Sequence, residues 1–278
     1  MSEAHPRPLE RRRILVTRAA EKGAEFAAIL EERGARVLRI PLIRFEDPES
    51  WDALDQALRR LDEFQILLFT SATAVDRFFD RFLKISGGGG ILASLSVAVV
   101  GPKTARAVEK HGHGVRWVAQ SYQAEGLLEM LPAERVRGVE ILFPRAQEAR
   151  ELLVDELERR GARITLAPVY RTVPVTESRS PLQAALGSRA VDAVTFTSAS
   201  TVRHFVELAE DSDLPSRMRG IAVACFGRIT AEEACSRGLS PDVVSARSTL
   251  EDFTDAIARH FARRGGEGNA VPGDATEP

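Results

Sequence analysis

The chain has 278 residues, a formal net charge of −2, 44% hydrophobic and 28% charged residues, the composition of a globular protein long enough for two cores of ordinary size. The near-neutral balance excludes a general nucleic-acid binder, for which a strong basic excess is expected, and no apolar run approaches the roughly 20 residues of a membrane span. Cys225 and Cys235 are the only cysteines, too few for a disulfide framework or a zinc site, and both read as reduced.

The polar start carries Arg11, Arg12 and Arg13, and Ile14-Leu15-Val16 is too short for a secretory h-region, so a cytoplasmic location is expected. The same three residues predict a strand ending at Thr17-Arg18. Phe26, Ile29 and Leu30 at helical spacing predict a helix from Ala24 to Arg33, stopped by Gly34. Val37 to Phe45 reads as the next strand. Ile66 to Phe69, a helix from Ala72 to Phe82, Val97 to Val100 and a helix from Thr104 to Lys110 continue the alternation. Gly87-Gly88-Gly89-Gly90 follows a helix and lacks the Gly-Lys-Ser/Thr ending of a phosphate loop, so it reads as a flexible connector.

The second half predicts strand Ile141 to Phe143, helix Ala149 to Arg160, strand Ile164 to Val169 and strand Ala193 to Phe196. Helix Ser200 to Ala209, strand Ala222 to Phe226 and helix Ala231 to Arg237 follow. Gly265 to Pro278 has almost nothing to bury and is expected to be disordered. The βαβα rhythm predicts parallel sheets with helices on both faces.

The chain is written nearly twice. Arg13-Ile14-Leu15-Val16-Thr17-Arg18 returns 127 residues on as Glu140-Ile141-Leu142-Phe143-Pro144-Arg145, and Leu68-Phe69-Thr70-Ser71-Ala72 returns at the same offset as Thr195-Phe196-Thr197-Ser198-Ala199. Glu31 to Arg36 likewise returns as Glu158 to Arg163. Val99-Val100-Gly101-Pro102-Lys103-Thr104-Ala105 matches Cys225-Phe226-Gly227-Arg228-Ile229-Thr230-Ala231 at 126, and Ser121 with the following Glu125-Gly126-Leu127-Leu128 matches Ser248 with Asp252-Phe253-Thr254 at 127. Five signals in one order describe a duplicated α/β unit with two sets of equivalent loops.

In parallel sheets, ligands bind beyond the carboxyl ends of the strands. Here those loops hold Thr17, Arg18, Ser71, Lys103, Thr104, Arg145, Ser198, Ser200, Arg228 and Thr230. Hydroxyls and cations at helix N-termini suit a polyanion, although each hydroxyl residue also reads as an ordinary helix cap and each cation as a solvated surface charge. There is no Gly-x-Gly-x-x-Gly after a strand, no His-Glu-x-x-His and no Cys-x-x-Cys, which counts against a nucleotide-binding transferase and leaves no metal ligand set. The five histidines look scattered over tail, loop and helix surface.

Phe69-Thr70-Ser71-Ala72, Val99 to Ala105, Phe143-Pro144-Arg145, Pro168-Val169-Tyr170-Arg171-Thr172, Phe196 to Val202 and Gly227 to Ala231 together resemble the uroporphyrinogen-III synthase family, over about Arg13 to Phe261. The resemblance implies a cofactor-free cyclisation of hydroxymethylbilane, a linear tetrapyrrole with eight carboxylates, to uroporphyrinogen III with loss of water and inversion of the last ring. It implies two flavodoxin-like domains, each a doubly wound parallel sheet, joined by a two-stranded β connector with the substrate cleft between them. Residues 1–40 with 175–264 would form one domain, 47–166 the other, 41–46 and 167–174 the connector, and 265–278 the tail.

Tyr170 stands at the family's Val-Tyr-x-Thr position and is the expected catalytic residue. Its repeat equivalent is Ile43, which has no hydroxyl. The cations and hydroxyls named above are the expected substrate contacts. Neither a metal nor a cofactor is expected, nor a nucleic-acid or membrane partner, and a monomer is. The rival reading is a catalytically silent, anion-sensing protein of the same fold.

Overall fold

The structure, a computed structural model, describes residues 7–87, 94–119, 124–148, 152–210, 214–246 and 249–267. The chain divides into two compact units, Met1–Arg44 with Val173–Pro278 and Phe45–Thr172. The first unit opens with β1 (Arg13–Val16), α1 (Ala20–Glu32) and β2 (Arg36–Arg39), and β3 (Ile43–Glu46) leads out of it. The second contains α2 (Asp52–Arg59), β4 (Ile66–Phe69), α3 (Ala72–Ser86), β5 (Ser96–Val100), α4 (Pro102–Lys110) and β6 (Trp117–Ala119). It continues with α5 (Ala124–Met130), α6 (Ala133–Val136), β7 (Glu140–Ala146) and α7 (Leu152–Arg159). Strand β8 (Arg163–Pro174) leads back. The first unit then closes with α8 (Arg179–Gly187), β9 (Ala193–Phe196), α9 (Ala199–Ala209), α10 (Leu214–Arg217), β10 (Ala222–Cys225), α11 (Arg228–Ser236), β11 (Val243–Val244) and α12 (Leu250–Glu267).

The first unit's sheet has the order β11-β10-β9-β1-β2 and the second unit's β3-β8-β7-β4-β5-β6. From β11 to β2 and from β8 to β6 every neighbouring pair is parallel. Under the repeat offset, β6, β5, β4, β7 and β8 correspond to β11, β10, β9, β1 and β2, so the two sheets share one plan. Each joins the first two strands of one copy to the last three of the other: β1 and β2 lie with β9 to β11, β7 and β8 with β4 to β6. Counted from β1 or from β7 in repeat order, both follow the 2-1-3-4-5 sequence of flavodoxin-like folds.

Each sheet is buried on both faces, as parallel sheets require. In the first unit Leu15, Val194, Phe196 and Val223 pack against Val202 and Phe205 of α9, while Ile14, Val16, Ala193 and Ala224 face Phe26 and Leu30 of α1 and Phe253 and Ile257 of α12. In the second, Leu67, Phe69, Val97 and Val99 meet α2, α3 and α4, and Ile66, Leu68, Ile141 and Phe143 meet α5, α6 and α7. The alternation Ile66-Leu67-Leu68-Phe69 is the two-residue period of a strand shared between two apolar layers. Helix α3 shows the local logic. Ser71 accepts the Ala74 amide at 3.1 Å, Phe78, Phe79 and Phe82 sit on the buried face, and Gly87 at φ 61° closes the helix in the left-handed conformation that glycine adopts without penalty. Each buried Phe contributes about 1.5 to 3 kcal/mol.

The strand expected from Val37 to Phe45 is two strands, because Pro41 has no amide to donate and the Leu42 amide turns to the Thr17 carbonyl at 3.1 Å. Beyond it the facing residues of β3 and β8 run in opposite order, as in an antiparallel pair: the Val175 amide donates to the Leu42 carbonyl at 3.0 Å, and Arg171 pairs with Glu46 at 2.9 Å. Gly265 to Glu267 belong to α12 rather than to the expected tail. Gly88 to Gly90, Ser121, Ser248 and the rest of the tail lie outside the described residues. His111 and His113, read as scattered, stack on Phe79 with ring centroids 4.4 and 5.0 Å away.

Candidate active site

Parallel strands carry their outgoing loops on one edge. The first unit therefore collects Thr17, Arg18, Ser198, Ser200, Arg228 and Thr230 at the carboxyl ends of β1, β9 and β10, and the second collects Ser71, Lys103, Thr104, Arg145 and Tyr170 at those of β4, β5, β7 and β8. In each unit this edge includes the point between the first and third strands where a doubly wound sheet reverses its winding and receives ligands.

The helix starts on these edges are of two kinds. Ser71 and Ser198 are side-chain caps, and Ser198 forms a capping box with Thr201 and lies 2.9 Å from the Ser200 hydroxyl. Gly101 and Gly227, at φ 77° and 83°, open α4 and α11 with no side-chain cap. A side chain at those angles is strained, and the uncapped first turns leave backbone amides directed along the edge.

The expected binding residues separate accordingly. Thr17 is fully buried and its hydroxyl donates to the Thr195 carbonyl at 2.7 Å, while the Thr195 hydroxyl donates to the Leu15 carbonyl at 2.9 Å. This reciprocal latch between β1 and β9 uses the Thr17 hydroxyl inside the sheet, so that the expected substrate contact at Thr17 meets a side chain already engaged. Thr104 and Thr230 are also buried, and Thr230 donates to the Phe226 carbonyl at 3.2 Å. The Thr230 hydroxyl anchors the first turn of α11.

Among the cations, Arg228 is exposed and paired with Glu232 at 2.6 Å one helical turn on, and Lys103 is exposed on the first turn of α4. Arg145 is 3% exposed at the end of β7, its guanidinium carbon 5.4 Å from the Phe143 ring centre. Its Nε is buried without a hydrogen-bond partner, and so is the Nη1 of Arg18. Burial lowers the Arg18 pKa from the usual arginine value, against the pull of Glu25. A buried donor left unmade is costly in the absence of a ligand.

Tyr170 is re-aimed by a β-bulge. The β7–β8 register runs Arg145 opposite Pro168 and then Ala146 opposite Tyr170, so Val169 is the extra residue, a device that commonly turns a side chain near an active site. Strict alternation would place Tyr170 on the face opposite Ala167 and Val169, yet all three join the same apolar cluster. There Tyr170 meets Phe45 edge-on at 5.3 Å and hydrogen-bonds Ser71. Burial raises the phenol above its ordinary pKa and the Ser71 bond opposes that rise. The Ser71 partnership and the Phe45 wall escaped the sequence reading, although Phe45 lay in a segment already paired with the one that holds Tyr170.

Among the described residues no group of His, Cys, Asp or Glu could hold a metal ion, and no helix is long and apolar enough to cross a membrane.

A sequence-family model described as uroporphyrinogen-III synthase HemD matches residues 24–255. The uroporphyrinogen-III synthase of Synechococcus elongatus is 33% identical over 263 residues, covering 90% of this chain and 96% of its own. A crystal structure of a mutant uroporphyrinogen III synthase from the extremely thermophilic bacterium Thermus thermophilus superposes with a TM-score of 0.66 at 25% identity, covering 91% of this chain and 99% of that one. The synthetase of Helicobacter pylori, at 17% identity and a TM-score of 0.56 over 89% of this chain and 99% of its own, shares the fold.

Proposed function

The chain belongs to the uroporphyrinogen-III synthase family, an enzyme family of tetrapyrrole biosynthesis, and from that premise we propose how its own residues perform the reaction. Hydroxymethylbilane loses its terminal hydroxyl as water, and the electron-poor carbon left behind bonds to the last pyrrole ring at the α-carbon that already carries the bridge. The old bridge–ring bond then breaks, and the freed bridge carbon rebonds at the ring's open α-carbon with loss of that carbon's proton, so that the ring closes inverted. Tyr170 is the catalytic residue. Its phenol donates a hydrogen bond to the departing hydroxyl. Because burial disfavours the phenolate, the phenol stays protonated until the C–O bond breaks, passes its proton to the departing hydroxyl and takes back the proton the last ring later loses, while Ser71 offsets the charge that gathers meanwhile on the phenol oxygen.

The carboxyl edge of each unit takes part of the substrate's carboxylates. Arg18, with its unsatisfied Nη1, and the uncapped starts of α4 and α11 are the strongest anion contacts, with Lys103, Arg145 and Arg228 as further cations and Ser198 and Ser200 as hydroxyl donors. Dispersed in this way, they fit a substrate of many carboxylates on a chain whose formal net charge is −2. The chemistry rests on positioning and hydrogen bonding, which the side chains present can supply without a cofactor. The protein acts as a cytoplasmic monomer with no nucleic-acid or membrane partner, which light scattering at 30.5 kDa tests for its oligomeric part.

The observation that carries the reading is the bulge that turns Tyr170 to Ser71. Mixing the protein with freshly generated hydroxymethylbilane and separating the isomers tests it. Uroporphyrinogen III is the expected product, and type I alone, which forms spontaneously, overturns it.

A further inference from the structure

In the first unit a cavity of about 320 Å³ opens beside the edge strand β11, lined by Asp242, Arg259, His260, Arg263 and Arg264. A neighbouring cavity of about 210 Å³ shares Asp242 and Arg264 and adds Arg219. Asp242, Arg219 and the last turns of α12 all lie toward the amino ends of β10 and β11, the edge of the sheet opposite to Arg18, Ser198 and Thr230.

What sets this place apart is convergence: Arg219, Arg259, Arg263 and Arg264 line the two adjoining hollows, and among the described residues no carboxylate forms an ion pair with any of them. The single carboxylate lining the hollow, Asp242, uses Oδ2 to accept the Val223 amide at 2.8 Å. His260 turns a buried Nε2 into this setting with no hydrogen-bond partner. Burial, Arg264 and Arg12 hold its pKa below the usual histidine value against the pull of Asp242. Arginines near a helix C-terminus complement the helix dipole, which accounts for Arg264 in the last turn of α12. It does not account for Arg259, two turns inside α12.

We propose that this hollow is a second anion site, which takes a ligand bearing a phosphate or pyrophosphate group and is separate from the residues that handle the tetrapyrrole. Guanidinium forks match phosphate oxygens in geometry as well as charge. An anion would give the His260 Nε2 the acceptor it lacks once protonated, and a cavity of this size stands at the small end of ligand pockets.

The test is calorimetric titration of the full chain with pyrophosphate and with inorganic phosphate at constant ionic strength, alongside NMR titration of the His260 ring. Saturable binding is expected, with the His260 pKa rising as the site fills. Arg259→Gln/Arg263→Gln should bind about tenfold more weakly or worse, and the two lysine substitutions should restore part of the loss. Bilane turnover should be unchanged in all of these variants, so failure of this site is read separately from failure of the proposed reaction. Absence of binding, equal binding by the glutamine variant, or equal binding of citrate overturns the proposal.

Discussion

The phenol of Tyr170 hydrogen-bonds Ser71, the residue that caps α3. Ser71 Oγ already accepts the Ala74 amide at 3.1 Å, which leaves its own hydrogen for the phenol oxygen and leaves the phenol proton free to be donated onward. The positive end of the α3 dipole is thereby coupled, through one hydroxyl, to the group proposed to assist departure of water.

Replacing Tyr170 by Phe keeps the ring that meets Phe45 and removes only the hydroxyl. Formation of uroporphyrinogen III should fall about 10²-fold, the low end for one acid–base group, with the melting temperature close to that of the parent. Undiminished turnover in a coupled bilane assay would take Tyr170 out of the mechanism.

Ser71→Ala removes both the cap and the phenol's partner. Loss of the cap costs about 1 kcal/mol of stability. Because the Ser71 bond lowers the phenol pKa against burial, its loss should move that pKa further up, read by ultraviolet phenolate titration with Tyr170→Phe as the blank for Tyr122. A pKa that stays put or falls contradicts the pairing.

Arg18→Gln tests the unsatisfied guanidinium. If Nη1 meets a substrate carboxylate, KM should rise by about tenfold or more, as expected for a charged hydrogen bond, with kcat little changed. A pure loss of stability at constant KM would mean that Arg18 belongs to the scaffold.

Thr17→Val should do the reverse. The Thr195 carbonyl loses a buried donor, costing about 1 to 3 kcal/mol, and turnover per folded molecule stays as it was. A raised KM with full stability would return Thr17 to the binding surface.

Cys225 is buried in β10 and its thiol is pushed up to about 12, first by burial and then by Cys235. The folded pKa lies above the ordinary 9.0, so the contribution to stability is complete below pH 9 and is lost as pH rises toward 12, where the unfolded chain ionises first. The native protein should show one thiol to a disulfide reagent, from exposed Cys235, and two when unfolded. Cys225→Ala should flatten the alkaline fall in melting temperature.

The alternating strands and helices were legible because hydrophobic period and terminal signals are local, as in Ile66 to Phe69 and in Ser71 ahead of α3. Boundaries drifted where a local rule met a tertiary partner: Pro41 split one expected strand in two, and α12 continued through Gly265 and Gly266. Thr17 looked like a loop hydroxyl from its position after β1, and only the adjacency of β9 shows where that hydroxyl goes. Sequence spacing likewise could not show which arginines have carboxylates beside them.

By itself the sequence determined that two copies of one α/β plan exist, since a repeat at 127 residues is written in residue identities, and it marked Tyr170 as the place where the second copy gained a hydroxyl. Only the tertiary structure decided the order and register of the strands in each sheet, and that Val169 bulges so that Tyr170 turns to Ser71. The reason is physical. Strand adjacency and register are settled by long-range hydrogen bonding and by which apolar faces meet, and a single inserted residue reverses the side to which every later side chain points.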